Sequence, residues 1–258
     1  MTDKPVVYAT REIPAQGMNR LAEHCDLHVW DGKTPPSKDH IERRLSELEA
    51  EGLLCLLTDE IDAAVMDSTP NLRVISTFSV GYDHIDVEAA SERNISVGHT
   101  PGVLTETTAD LAWALLMTCA RRIVEGHDYV VDGEWETWQP TLLLGPDVHD
   151  ATLGIVGMGN IGAAVARRSA GFGMDIVYTS RGPKTEAERS LAELGVDAVH
   201  VDHDRLFAES DFVSLHVPLV EATEGLIGRE ELQRMSEDAV LVNTSRGGVV
   251  DTDALDTA

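Results

Sequence analysis

Short apolar runs separated by helix-period segments organise the first third of the chain. "VVYAT" (6–10), "LHVW" (27–30), "GLLCLLT" (52–58), "LRVISTF" (72–78) and "ISVGH" (95–99) read as strands. "GMNRLAEH" (17–24) and "SKDHIERRLSEL" (37–48) read as helices, the second capped by Ser37, and "DHIDVEAASERN" (83–94) separates the last two strands. The run 52–58 is almost continuously apolar, as strands covered on both faces are. Strands alternating with helices predict a parallel α/β sheet.

"HTPGV" (99–103) breaks the pattern. Pro101 restricts Thr100 to extended backbone and Gly102 loosens the chain, so the segment reads as a hinge between domains over 1–98 and 99–258. "TETTADLAWALLMTCARRI" (105–123) then predicts a helix with a capping-box-like start at Thr107 and Asp110. The pairs Leu111/Leu115 and Ala112/Leu116 mark its buried face. "DGEWETWQPTLLLGPDVHDA" (132–151) is weakly periodic yet too apolar for a solvated loop, so it is expected to pack against something. A second α/β series follows. "TLGIVG", "MDIVYTS", "DAVHV", "DFVSLHV" and "AVLVN" read as strands, and 160–171, "TEAERSLAEL" and "REELQRM" as helices.

Composition narrows the function classes. At 258 residues and 43% hydrophobic content, the chain can build two cored domains. Its 45 acids against 20 bases, only four of them lysines, leave a net charge of −25. That field repels nucleic acid and anionic membrane, and its even spread suits a surface hydrated in concentrated salt, pointing to a halophilic source. The longest apolar stretch, 111–119, is about half what a membrane span needs. "MTDKPVVYAT" passes straight into a strand without a signal pattern, so a cytoplasmic location is expected. Cys25, Cys55 and Cys119 have no metal-type spacing; they read as free thiols, with no metal site. Cys55 and Cys119, in apolar runs, are expected to be small buried hydrophobes.

"GIVGMGNIG" holds the chemistry of the second series. Gly157, Gly159 and Gly162 form G-x-G-x-x-G between a predicted strand and a predicted helix, the context of a dinucleotide fingerprint. Gly157 permits the tight turn, Gly159 a close approach to pyrophosphate, and Gly162 close helix–strand packing. An Asp or Glu at the end of the next strand would select NAD. The chain places Thr179-Ser180-Arg181 there, with Lys184 following. A hydroxyl and two cations suit a 2′-phosphate, which predicts NADP(H), with NAD(H) as the other candidate and a merely solvated basic turn as the alternative.

"FSVGYDHIDVEAA", "HTPGVLTETTADLAWALL", "TLGIVGMGNIG", "SDFVSLHVPLVEAT" and "AVLVNTSRGGVVD" together resemble the D-isomer-specific 2-hydroxyacid dehydrogenases, nearly end to end. "GEWETWQPTLLLGPDVHDATLGIVG" and "YTSRGPK" are similar to the glyoxylate/hydroxypyruvate reductase branch. The resemblance implies a flavodoxin-like substrate domain and a Rossmann-type doubly wound parallel sheet, with a dimerisation arm at about 123–150. It implies that the Val80-Gly81 turn offers amides to a 2-oxo acid's carboxylate and that Trp138 reaches the active site from a partner in a homodimer. Thr108 would contact the nicotinamide side, Asn160 and Ile161 would lie under the pyrophosphate, and His216, Val217, Pro218 and Thr223 would border the adenosine. Thr244 and Ser245 would line the nicotinamide pocket. Arg246 would be the catalytic residue, binding the substrate carboxylate and polarising the carbonyl, although an arginine after a strand can also simply pair with an acid.

The family pattern continues past the arginine with a Glu and then a proton-donating His, and no His follows Arg246 here. His84, His99 and His216 are not promoted to that role. The expectation is a truncated chain with an incomplete second sheet, Thr252 capping a last short helix, and little turnover. A 3-phosphoglycerate dehydrogenase-like enzyme and a non-catalytic dinucleotide-binding regulator are the rival readings.

Overall fold

A computed structural model describes residues 4–257. The chain divides into two compact units, Met1–Val103 and Leu104–Ala258.

The first unit runs β1 (Val6–Ala9), α1 (Ala15–His24), β2 (Asp26–Val29), α2 (Lys38–Leu48), β3 (Gly52–Cys55), α3 (Ala63–Asp67), β4 (Val74–Thr77), α4 (Val87–Glu92) and β5 (Ser96–Gly98). All pairings are parallel, in the order β2-β1-β3-β4-β5, which is the flavodoxin-like winding. Tyr8, Leu53, Cys55 and Ile75 pack one face of the sheet against Ile41, Leu45, Val65 and Met66. Ser37 caps α2, its Oγ accepting from the His40 amide at 3.3 Å. The short α3 was not evident in the sequence; Asp62 starts it by accepting from the amides of Ala64 and Val65, both at 3.1 Å. Over the opposite face α1 buries none of its residues fully, and a cavity of about 620 Å³ lies there, lined in part by Val7, Gly17, Leu21, Leu54, Val74 and Phe78.

The second unit opens with α5 (Thr105–Ala120) and α6 (Ile123–Val131), then β6 (Thr152–Val156), α7 (Asn160–Ser169), β7 (Asp175–Thr179), α8 (Thr185–Ala192), β8 (Ala198–His200), α9 (His203–Glu209), β9 (Phe212–Leu215), α10 (Arg229–Arg234), β10 (Val240–Asn243) and α11 (Thr252–Leu255). The parallel order β10-β9-β6-β7-β8 is that of a doubly wound dinucleotide fold. Side-chain alternation buries both faces. Ile155, Tyr178 and Phe212 face Trp113, Leu116 and Val165, while Val177, Val213 and Leu215 face Leu206, Phe207 and Ile227.

Several local expectations are corrected. Helix α5 starts at Thr105 behind Leu104 with no side-chain cap, so Thr107 and Asp110 form no capping box. Asp110 instead accepts from Arg168 on α7 at 2.6 Å. Ala109, Ala112, Trp113 and Leu116 are the buried stripe of α5, whereas Leu111 and Leu115 are exposed. Trp113 sets that orientation: its indole donates to the Val165 carbonyl at 2.9 Å and stacks on Phe172. Cys119 is exposed rather than buried, and Asp251, not Thr252, caps α11.

Candidate active site

Strand β6 delivers the chain into the glycine elbow. Gly157 has φ +101°, a left-handed conformation that favours glycine, and a Cβ there would lie 2.8 Å from the His216 carbonyl oxygen. Its amide donates to Thr179 O at 3.0 Å, and the Gly159 amide turns back to Gly157 O at 2.9 Å. A Cβ on Gly162 would lie 2.3 Å from Gly157 O, so α7 could not sit this close to the turn with any larger residue. Gly159 differs from both: a Cβ there meets nothing within 4 Å. It is the N-cap of α7 and no side chain caps that end, so the amides of Asn160 and Ile161 begin the helix facing open space.

Beyond β7 the loop 180–184 is tied down from below. The Tyr178 hydroxyl accepts from the Lys184 amide at 2.7 Å and donates to Glu188 at 2.6 Å. Burial, followed by the Glu188 carboxylate, pushes the phenol up to about 12. The Ser180 hydroxyl donates to Gly182 O at 2.6 Å, and His200 Nε2 lies 3.2 Å from Ser180 O. Arg181 and Lys184 are exposed and neither forms an ion pair among the described residues. Tyr178 was missed in the sequence, where it is one more apolar position of a buried strand.

On the side of the elbow's strand away from β7 come the ends of β9, its neighbour, and of β10 beyond it. The His216 amide donates to Val156 O at 2.8 Å, and its ring Nε2 meets the Ser214 hydroxyl at 2.8 Å. Burial drives this imidazole down to about 4, so it is neutral at pH 7. The Thr223 hydroxyl closes the turn after Val217 and Pro218, donating to Pro218 O at 2.5 Å and accepting from the Val220 amide at 3.0 Å. After β10, Asn243 shapes the arginine turn. Its Oδ1 accepts from the Ser245 amide at 2.9 Å and hydroxyl at 2.8 Å, and its Nδ2 donates to Arg246 O at 2.8 Å. Arg246 is extended there (φ −136°, ψ 141°), with Nη1 3.2 Å from Ser245 O. The Thr244 hydroxyl oxygen is buried without a hydrogen-bond partner. A buried orphan hydroxyl costs free energy that a bound polar group would recover. Thr108 lies in the first turn of α5, its amide on Leu104 O at 2.8 Å.

In the first unit, β4 leads into the turn Ser79-Val80-Gly81-Tyr82. His99 Nδ1 lies 2.8 Å from Val80 O, and the Ser79 hydroxyl donates to Gly81 O at 2.5 Å. The Thr77 hydroxyl links Ser79 Oγ and His84 Nε2, each at 2.9 Å. Among the described residues no hydrogen bond uses the amides of Val80 or Gly81. Trp138, in the segment after α6, is 73% exposed.

A doubly wound parallel sheet with a glycine elbow on its first strand, open space over the middle glycine and an uncapped helix start behind it defines a dinucleotide-binding α/β protein. Residues 113–258 match the family described as D-isomer specific 2-hydroxyacid dehydrogenase, NAD binding domain. The chain is 53% identical over 253 residues to a glyoxylate reductase of Korarchaeum cryptofilum, covering 98% of this chain and 74% of that protein. It is 47% identical over 256 residues to the glyoxylate reductase of Thermococcus litoralis, covering 98% and 75%. A crystal structure of a Thermus thermophilus protein superposes with a TM-score of 0.88 at 47% identity, covering 98% of this chain and 77% of that one. The chain belongs to the D-isomer-specific 2-hydroxyacid dehydrogenase family, in its glyoxylate reductase branch. No helix among the described residues is long and apolar enough to cross a membrane.

Proposed function

We propose that the protein reduces a small 2-oxo acid, glyoxylate or hydroxypyruvate, to the D-2-hydroxy acid with NADPH. The observation that carries the reading is the elbow. Gly157 and Gly162 are closed by backbone, whereas Gly159 opens on free space at the start of α7. There the amides of Asn160 and Ile161 hold the pyrophosphate, with Gly159 letting it approach. His216, Val217, Pro218 and Thr223 border the adenosine; Thr108, Thr244 and Ser245 hold the nicotinamide. The bound nicotinamide supplies the hydride. Arg246 grips the substrate carboxylate and polarises the carbonyl as negative charge grows on its oxygen, and the amides of Val80 and Gly81 are donors to the carboxylate. The unit Met1–Val103 then serves as the substrate domain and Leu104–Ala258 as the dinucleotide domain, a boundary five residues beyond the 98/99 expected from the hinge.

Preference for NADP(H) rests on Arg181 and Lys184, two exposed cations that form no ion pair among the described residues, on a loop that carries no acid, with Ser180 beside them. An unpaired cation is the group a 2′-phosphate needs. The homodimer is supported by α6, which has no buried residue, and by the exposed Trp135, Trp138 and Leu144 in the arm at 123–150. The net charge of −25 supports a halophilic enzyme.

The test is the pair Arg181→Ala and Lys184→Ala, made together. The Kd for NADPH should rise by about tenfold or more, since each charge-assisted hydrogen bond is worth about 1.5–3 kcal/mol, while the Kd for NADH stays put. Equal affinity for NADPH before and after sinks the NADP assignment. NADPH oxidation by the enzyme should respond to glyoxylate and hydroxypyruvate ahead of longer 2-oxo acids.

A further inference from the structure

We propose that His99 is a positioning residue for the substrate carboxylate, acting through the Val80-Gly81 turn; this rests on the reading of that turn as the carboxylate site. The Gly81 amide shares its peptide group with the Val80 carbonyl, and that carbonyl lies 2.8 Å from His99 Nδ1. The Val80 amide shares its peptide group with the Ser79 carbonyl, which accepts from the Thr100 amide at 2.9 Å. Both amides aimed at the substrate therefore belong to peptides whose oxygens are held, from the opposite side, by consecutive residues after β5.

A carbonyl oxygen only accepts, so Nδ1 of His99 carries the proton in this contact. A hydrogen bond to a peptide oxygen polarises that peptide and strengthens its N–H as a donor. It also fixes the plane of the peptide, so the N–H needs no reorientation when an anion arrives. The remaining carbonyl of the turn is held as well. Ser79 gives its single hydroxyl proton to Gly81 O, so the Thr77 hydroxyl must donate to Ser79 Oγ and in turn accept from His84 Nε2. Among the described residues the amides of Val80 and Gly81 remain without a hydrogen-bond partner. Tyr82 packs edge-on against the His99 ring, with centroids 5.2 Å apart, and keeps it in place.

The experiment compares His99→Phe and His99→Asn in the enzyme. Phenylalanine keeps a ring against Tyr82 but cannot donate; asparagine keeps an N–H donor. His99→Phe should raise KM for glyoxylate, and the Kd of oxamate measured with NADPH bound, by about fivefold, with kcat within about twofold, and His99→Asn should recover most of the loss. Unchanged KM and Kd in His99→Phe overturn the proposal, as does failure of asparagine to recover them when both variants melt at the parent temperature. Gly81→Pro, which removes one amide, separates the two levels. If it weakens oxamate while His99→Phe does not, the turn binds the carboxylate without help from His99. If it leaves oxamate binding intact, the carboxylate reading falls and the positioning role falls with it.

Discussion

Replacing Gly159 and Gly162 in turn by alanine separates a glycine kept for a ligand from one kept for the fold. At Gly162 the new methyl would lie 2.3 Å from Gly157 O and 3.1 Å from Ile155 Cγ2. The nearer atom is backbone and cannot rotate away, so α7 must move off β6. Overpacking of this kind costs about 1–3 kcal/mol, which lowers the melting temperature by roughly 2–4 °C per kcal/mol for a unit of this size. At Gly159 the methyl meets nothing within 4 Å, and its backbone angles (φ −87°, ψ −162°) are open to alanine. A small loss at the N-cap is offset by the lower entropy of the unfolded chain, so stability should change by no more than about 0.5 kcal/mol. Only in the complex does the methyl intrude, between the α7 amides and a pyrophosphate. A loss of about 2 kcal/mol there is roughly thirtyfold in Kd. Thermal unfolding without cofactor and fluorescence titration with NADPH read the two quantities. Gly159→Ala should melt like the parent and bind NADPH poorly; Gly162→Ala should melt early. Parent-like NADPH affinity in Gly159→Ala would refute the placement of the pyrophosphate over this elbow.

Arg246→Lys keeps the charge but loses the forked donors, so kcat/KM for glyoxylate should fall by about a hundredfold, roughly 2.7 kcal/mol; less than a tenfold loss would point to a structural ion pair. His216, buried neutral and lowered to about 4, binds a proton more readily unfolded than folded. Stability should therefore fall as pH drops from about 6.5 to 4, by up to roughly 3 kcal/mol, with no His216 contribution to the slope above that window; His216→Gln should flatten that part of the curve, and an unchanged slope would count against the burial. Removing KCl should destabilise a surface carrying −25 through self-repulsion, so an unfolding midpoint insensitive to KCl would exclude the halophilic reading.

The local signals that survived in the structure are those whose physics is local. Ser37 caps α2 because a hydroxyl before a helix can reach an amide three residues on whatever the rest of the chain does. Gly157 takes a positive φ for a similarly local reason. The start of α5 failed the same kind of reading because Asp110 was claimed by Arg168, 58 residues away. Leu111 and Leu115 satisfied the helical period but lost the core to Trp113, whose indole needed the Val165 carbonyl. Helices α3 and α9 have 5 and 7 residues, too short for a period to show, and their Asp62 and Asp202 caps were the only signal present. Tyr178, Asn243 and Ser79 read as ordinary strand-end residues; their roles exist only through bonds to Lys184 and Glu188, to Arg246, and to Gly81.

The residue order alone determined that two parallel sheets form, that a glycine elbow opens the second, and that cations rather than an acid follow its second strand. Periodicity, glycine spacing and charge are properties of neighbours along the chain, so they are written there. Which side of α5 is buried, which hydroxyls hold the loop at 180–184 and the turn at 243–246, and whether the amides of Val80 and Gly81 stay unspent were decided by the folded structure. Those outcomes depend on which donors and acceptors meet across strands, and a hydrogen bond between residues far apart in sequence leaves no trace in the spacing of either.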